Sequence, residues 1–382
     1  MGNDELIVLA VVLSRLVVPL FIFRFPLPAI LLALVIDAAD QTIFQNSTDL
    51  ELTGYQGYDK ALDVYYLAIA YLSTFRNWTD PFAARAAQLL WYYRLCGVVA
   101  FELTQVRALL IVFPNTFEYF FIAYEVVRVA WNPARLGARR VVLMVVAIWL
   151  FVKLPQEYWI HIAQLDFTDV MKRDVFGVEV TSSWSDAIGE NLWFVAVFAV
   201  LAAVVVVVAR RAVGAAPPPD WRPGIDVDRH PEATMVRTAP ATVRFLEWDL
   251  VEKVVLTALI AVIFAQILPN TDTTPLRIVV IVGVVTVTNA WLSQWLAHHR
   301  IAWRSVLGQF AAMTALNAAI VTVVFVLGRN DRIDRGATVF FLLLLTLVIT
   351  LYDRFRPLRS AGYPLVRSGS TDDPAGLAVP TP

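Results

Sequence analysis

Residues 27–44 read Leu27-Pro-Ala-Ile-Leu-Leu-Ala-Leu-Val-Ile-Asp37-Ala-Ala-Asp40-Gln41-Thr-Ile-Phe44. Residues 55–66 read Tyr55-Gln-Gly-Tyr58-Asp59-Lys60-Ala-Leu-Asp63-Val-Tyr65-Tyr66. The first is an apolar run with two aspartates one helical turn apart. The second opens another such run with two more. About 20 apolar residues in a helix cross the hydrocarbon core of a bilayer. An ionisable group held in that core costs at least ~2.5–3.5 kcal/mol. A chain that keeps four of them matches them with partners, water or a ligand.

The rest of the chain supplies the apolar frame. Hydrophobic residues make up 58% of the 382 and charged residues 16%, against roughly 45–50% and about 25% in a soluble domain. The excess comes in long blocks of Val, Leu, Ala and Phe, which points to an all-α, polytopic transmembrane bundle. Spans are expected at 6–23, 27–44, 60–76, 85–112, 115–131, 141–157, 191–209, 247–268, 276–297, 304–327 and 337–352, eleven in all. Arg24-Phe-Pro26-Leu-Pro28 is a tight joint between the first two, because proline does not continue a helix cleanly. The fourth, longer than a bilayer needs, is expected to tilt. The first run follows Asp4 and Glu5 rather than a basic segment, so it reads as a retained span and not a signal peptide.

Orientation follows from the basic residues between spans. With the N-terminus outside, nineteen of the 31 Lys and Arg fall in inner loops and seven in outer ones. That split favours N-terminus outside, C-terminus inside. Residues 1–209 form a seven-helix half, 210–246 a cytoplasmic Pro- and Arg-rich linker, 247–352 a four-helix half and 353–382 a disordered tail. The outer loop at 158–190 is expected to hold a short helix lying on the membrane surface. Only four of the basic residues are lysine, and Ala and Val abound, the usage of a GC-rich bacterial genome. The location expected is the inner, or plasma, membrane of a bacterial cell.

The single cysteine, Cys96, excludes an internal disulfide and a Cys-based metal site. The four histidines lack metalloprotease spacing. No phosphate loop, dinucleotide fingerprint or haem-ligand pair occurs, so no cofactor is identifiable, and nucleic-acid binding has no support. Oligomeric state is not legible.

The ionisable residues concentrate in the N-terminal half. Residues three or four apart share a helix face. Asp37, Asp40 and Gln41 therefore share one face of the second span, and Tyr55, Asp59, Asp63 and Tyr66 one face of the third. Arg94, Glu102 and Gln105 fall on one side of the fourth, and Glu118 and Glu125 on one side of the fifth. These twelve are the candidate ligand- or ion-binding residues, expected to converge in an outward-facing cavity among helices 2–5. In the C-terminal half, Asn289, Gln294, Gln309 and Asn317 read as hydrogen-bonding glue between helices. Arg244–Glu247 and Asp249–Lys253 are spaced as ion pairs at the start of the eighth span.

Three functions fit. Excess acids beside a water-accessible cavity suit a proton- or cation-coupled transporter of a small solute, the first choice. An intramembrane enzyme on a lipid-linked or polyprenyl-phosphate substrate is the second. There Asp37, Asp40, Asp59 and Asp63 would hold a divalent cation against a diphosphate, with Arg94 as a phosphate clamp. The aspartate spacing resembles that of membrane prenyltransferases and phosphatidyltransferases, although Ile36 stands where the former commonly carry Asn. A glycosyltransferase would draw on a loop acid such as Asp49 or Glu51. In the third reading Arg15, Arg94, Lys60 and Lys153 pair the acids in a structural network. Whether the protein is an enzyme stays open. Its partners are the bilayer and a small solute or lipid head group.

Overall fold

The computed structural model describes residues 3–47, 55–163, 167–215, 217–229, 248–267, 280, 282–291, 306–327 and 335–362. The fold is all-helical, with no strand among the described residues. The helices are α1 Asn3–Val17, α2 Pro26–Ser47, α3 Tyr55–Asn77, α4 Pro81–Thr104, α5 Ala108–Val112, α6 Thr116–Arg128 and α7 Gly137–Ile148. They continue with α8 Leu154–Glu157, α9 Phe167–Val170, α10 Trp184–Glu190, α11 Leu192–Ala215, α12 Trp248–Ile267, α13 Val282–Trp291, α14 Val306–Leu327 and α15 Arg335–Gly362.

The core is α3. From Ala61 to Phe75 only Asp63 is more than 6% exposed, on whichever face it lies. Helix α3 is enclosed by α1, α2, α4, α12 and α15. A helix buried all round is ordinarily apolar all round, yet this one carries Tyr65, Tyr66, Tyr71, Ser73 and Thr74. Each hydroxyl has an acceptor. Tyr65 donates to the Leu16 carbonyl (2.9 Å), Tyr66 to Glu118 and Tyr71 to Glu252. Ser73 and Thr74 bond back to carbonyls three residues earlier.

Glu252 joins the two halves. It also accepts from Gln88 at 2.8 Å and pairs with Arg356 at 2.8 Å. Its neighbour Lys253 meets Asp353 of α15 at 2.7 Å, a long-range partner; the side chain of Asp249 lies outside the described residues. Asn289, Asn317 and Thr346 form a hydrogen-bonded row at 2.6 and 3.0 Å across three helices. Gln294, Arg244, Glu247, Asp49, Glu51 and His230, His298 and His299 lie outside the described residues.

Among the described residues two helical stretches are long and apolar enough to cross a membrane, Leu6–Phe23 and Ala108–Arg128. A third joins them if Trp184–Glu190 and Leu192–Val204, bent 89° at their junction, count as one. The chain thus carries candidate membrane-spanning helices. Helix α10 is a short helix in the 158–190 segment, lying at right angles to α11, whose surface is apolar and exposed almost all round.

The expected single helix over 85–112 is corrected. Helix α4 stops at Thr104, where Gln105 takes a left-handed conformation (φ 57°). The chain then doubles back along α4. Phe113 packs so closely on Gly97 that a Cβ there would lie 2.1 Å from the Phe113 Cβ. Residues Phe113–Asn115 separate α5 from α6, so the second apolar stretch is a broken helix.

Candidate functional site

Helix α1 brings one cation into the core. Arg15 has no acid three or four residues away, so its partner must come from another helix. Pro19 cannot donate to the Arg15 carbonyl, and the chain passes into a 3-10 turn at Val18–Phe23. The Leu16 carbonyl is taken by Tyr65.

Asp37 and Asp40 sit one turn apart on α2, and Asp59 and Asp63 one turn apart on α3. All four carboxylates accept from the Arg15 guanidinium, Asp63 at 2.7 Å. The side chain of Arg15 is 3% exposed and that of Asp40 likewise 3%. Asp37 is 27%, Asp59 38% and Asp63 41% exposed. Arginine and Asp40 therefore form the floor, and the other three form an open face. One oxygen from each of Asp37, Asp59 and Asp63 lies within 4.8 Å of the others, close enough to hold a metal ion.

Charge balance separates this group from the other candidates. Four carboxylates face one guanidinium, a formal excess of three. Two like charges 4.8 Å apart repel by about 3 kcal/mol at an effective dielectric near 20.

The remaining acids come out level with bases. Glu118 accepts from Tyr66 and, at 2.9 Å, from the Asn115 amide. Glu157 accepts from the Asn115 backbone N–H at 3.3 Å and lies 3.6 Å from Lys153 and 3.0 Å from His161. Arg94 donates to the Phe113 carbonyl at 3.1 Å, and Tyr93 to that of Val112. Two carboxylates thus stand against Arg94 and Lys153. Together these side chains satisfy backbone groups that the α5–α6 break sets free, as buried non-helical chain requires. Arg94 is committed to that break and does not join the aspartates.

Glu102 pairs with Lys60 at 3.1 Å, and the exposed Gln105 bonds the Glu102 carbonyl. Glu125 sits at the opposite end of α6. It accepts from the Trp78 indole at 2.6 Å and pairs with Arg128. The twelve candidates therefore do not form one cavity. Asp37, Asp40, Asp59 and Asp63 meet, Tyr66 links α3 to Glu118, and Glu125 stands apart. The side chains of Gln41 and Tyr55 lie outside the described residues. The residue the site turns on, Arg15, entered the sequence reading only as one of several available partners. Its signal was isolation: a lone guanidinium amid Val, Leu and Pro.

No family model, curated protein or solved structure matches this chain.

Proposed function

We propose that this is a multi-pass membrane transporter whose aspartate cluster binds protons or a small cation and couples them to movement of a solute. The observation that carries the reading is the imbalance at Arg15: four carboxylates on one guanidinium, three of them open to solvent. Carboxylates that outnumber their counter-charges in a protein interior take up protons or a cation, and reversible uptake is what coupling needs. Besides the candidate spans, α2, α12, α14 and α15 run 20 to 28 residues. At 1.5 Å per residue each reaches about 30 Å or more. The charge distribution favours an N-terminus outside, with the cluster opening outward. Arg15 lies about 15 Å from the end of its 3-10 turn, counting the rise per residue, near mid-membrane for a span of this length.

The second reading is an intramembrane, metal-dependent enzyme. The convergence of Asp37, Asp59 and Asp63 favours it. Against it, Arg15 already bonds all four carboxylates, so a divalent ion would have to share them with a fixed cation.

The two readings separate in reconstituted vesicles loaded with a pH-sensitive dye. Transport predicts that adding Na+, K+ or guanidinium outside moves protons across the wild-type membrane, and that Asp63→Asn abolishes the movement. The enzyme reading predicts no proton movement, and stabilisation of the purified protein by Mg2+ or Mn2+. Absence of proton movement under any of these cations, in correctly oriented vesicles, together with no uptake of labelled Na+, K+ or guanidinium, overturns the transport reading.

A further inference from the structure

Far from the aspartates, residues 217–229 form a strap across one end of the helices. At one side it caps α6, whose final carbonyls lack intrahelical donors. The Trp221 indole donates to the Arg128 carbonyl at 3.1 Å, and the Gly224 and Asp220 amides donate to Val129 and Ala130 at 3.1 and 3.0 Å. The Asp220 carboxylate accepts from the Asn132 amide at 2.8 Å and pairs with Arg135.

At the other side the strap grips the first helix and α3. Asp226 pairs with Arg24 at 3.0 Å and Asp228 pairs with Arg76. The Val227 amide donates to the Arg24 carbonyl at 3.0 Å, and Arg76 and Asn77 donate to that of Phe23. Phe23 is the last residue of the 3-10 turn that begins three residues after Arg15. One segment thus ties three helices together at the end opposite the open face of the aspartates.

We propose that this strap is the inner gate of the transporter, a latch that holds the inner end of the first helix shut while the aspartate site faces outward. The proposal rests on the transport reading, which gives such a gate its purpose. Opening parts Arg24 from Asp226 and Arg76 from Asp228, and frees the 3-10 turn that leads to Arg15. The pairs lie at the rim: Arg24 is 54% and Asp226 12% exposed in one, Arg76 19% and Asp228 29% in the other. Each pair keeps one member that reaches water, so it can part at less cost than a pair in a dry core.

The test uses Ser73, which is fully buried on α3 between the aspartates and the strap. In a Cys96→Ser background, Ser73→Cys is exposed to a membrane-impermeant maleimide in vesicles of each orientation. Intact, it reacts slowly from both sides. Asp226→Asn with Asp228→Asn should raise labelling from the strap side by about tenfold, the shift that about 1.4 kcal/mol of lost latch produces. Asp226→Glu with Asp228→Glu should leave it slow. Equal rates in all three proteins, or faster labelling only from the aspartate side, overturn the proposal. If the Asn variant does not fold, salt serves in its place. Screening weakens pairs that reach solvent, so labelling of the otherwise unaltered reporter must rise with ionic strength, and a flat response overturns the latch. Labelling needs neither solute nor gradient. A working gate in a protein that moves neither protons nor labelled cation would sink the transport reading and leave the latch.

Discussion

Asp63 lies 2.7 Å from Arg15 across 48 residues of chain, and the arginine is buried while the aspartate is 41% exposed. The pair joins the floor of the site to its open face. The arginine serves two needs at once: it neutralises Asp40, which has no access to water, and leaves three carboxylates with charge to spare.

Removing that cation should be costly. Arg15→Gln leaves Asp40 buried opposite a neutral group, and breaking a buried pair in this way costs about 3–5 kcal/mol. Arg15→Gln combined with Asp40→Asn should recover part of the loss, because the stranded charge goes with it. Thermal unfolding of the detergent-purified protein measures both. Full additivity of the two losses would show that Asp40 and Arg15 do not depend on each other.

The helix break has its own test. Gly97→Ala puts a Cβ where the Phe113 side chain already sits, so α5 cannot close against α4. Overpacking of this kind costs about 1–3 kcal/mol. Phe113→Ala in the same chain makes room and should restore part of the stability. A Gly97→Ala protein as stable as the parent would contradict the close approach.

In the C-terminal half the Asn289–Asn317–Thr346 row is a polar connection across three apolar helices. Asn317→Leu should lower resistance to unfolding in mixed detergent by roughly 0.6–2 kcal/mol, the range for such bonds in membranes, with no change in cation response. A variant that lost cation response while keeping its stability would show this row to belong to the site.

Glu252 should behave as a joint. Glu252→Gln keeps a hydrogen-bond acceptor for Tyr71 and Gln88 but leaves Arg356 without the carboxylate, at a cost of about 1.5–3 kcal/mol. The loss should be read as easier proteolytic separation of the two halves. Unaltered proteolysis would mean that apolar packing alone holds them.

How much of this was legible depends on distance along the chain. The two aspartate faces follow from spacing, since Asp37–Asp40 and Asp59–Asp63 are each one turn apart and helical geometry does the rest. Their meeting with Arg15 is set by which helices pack together, which periodicity does not report. The break after Thr104 is hidden for a local reason. Gln105-Val106-Arg107 contains no glycine or proline, and a left-handed glutamine is uncommon. Only Pro114, further on, marks the second corner. The strap reads as a proline-rich linker because its ties are distant: Asp226 and Arg24 stand 202 residues apart. A charge-rich segment without an apolar face carries no sign of where it docks. Glu118 and Arg94, which the structure groups with Glu157 and Lys153, read as ligand-site residues for the same reason. Their purpose, to satisfy a broken helix, exists only once the break is seen.

The central claim is that the carboxylates around Arg15 form an open site whose excess charge is met by protons or a cation. Proton release from the purified protein tests it most directly. In weakly buffered detergent solution containing a pH dye, Na+, K+ or guanidinium is added to wild-type protein and to Asp59→Asn with Asp63→Asn. The account predicts release of protons from the wild type, saturating with cation, and none from the variant. Equal release from both proteins, or none from either under every cation, would contradict it.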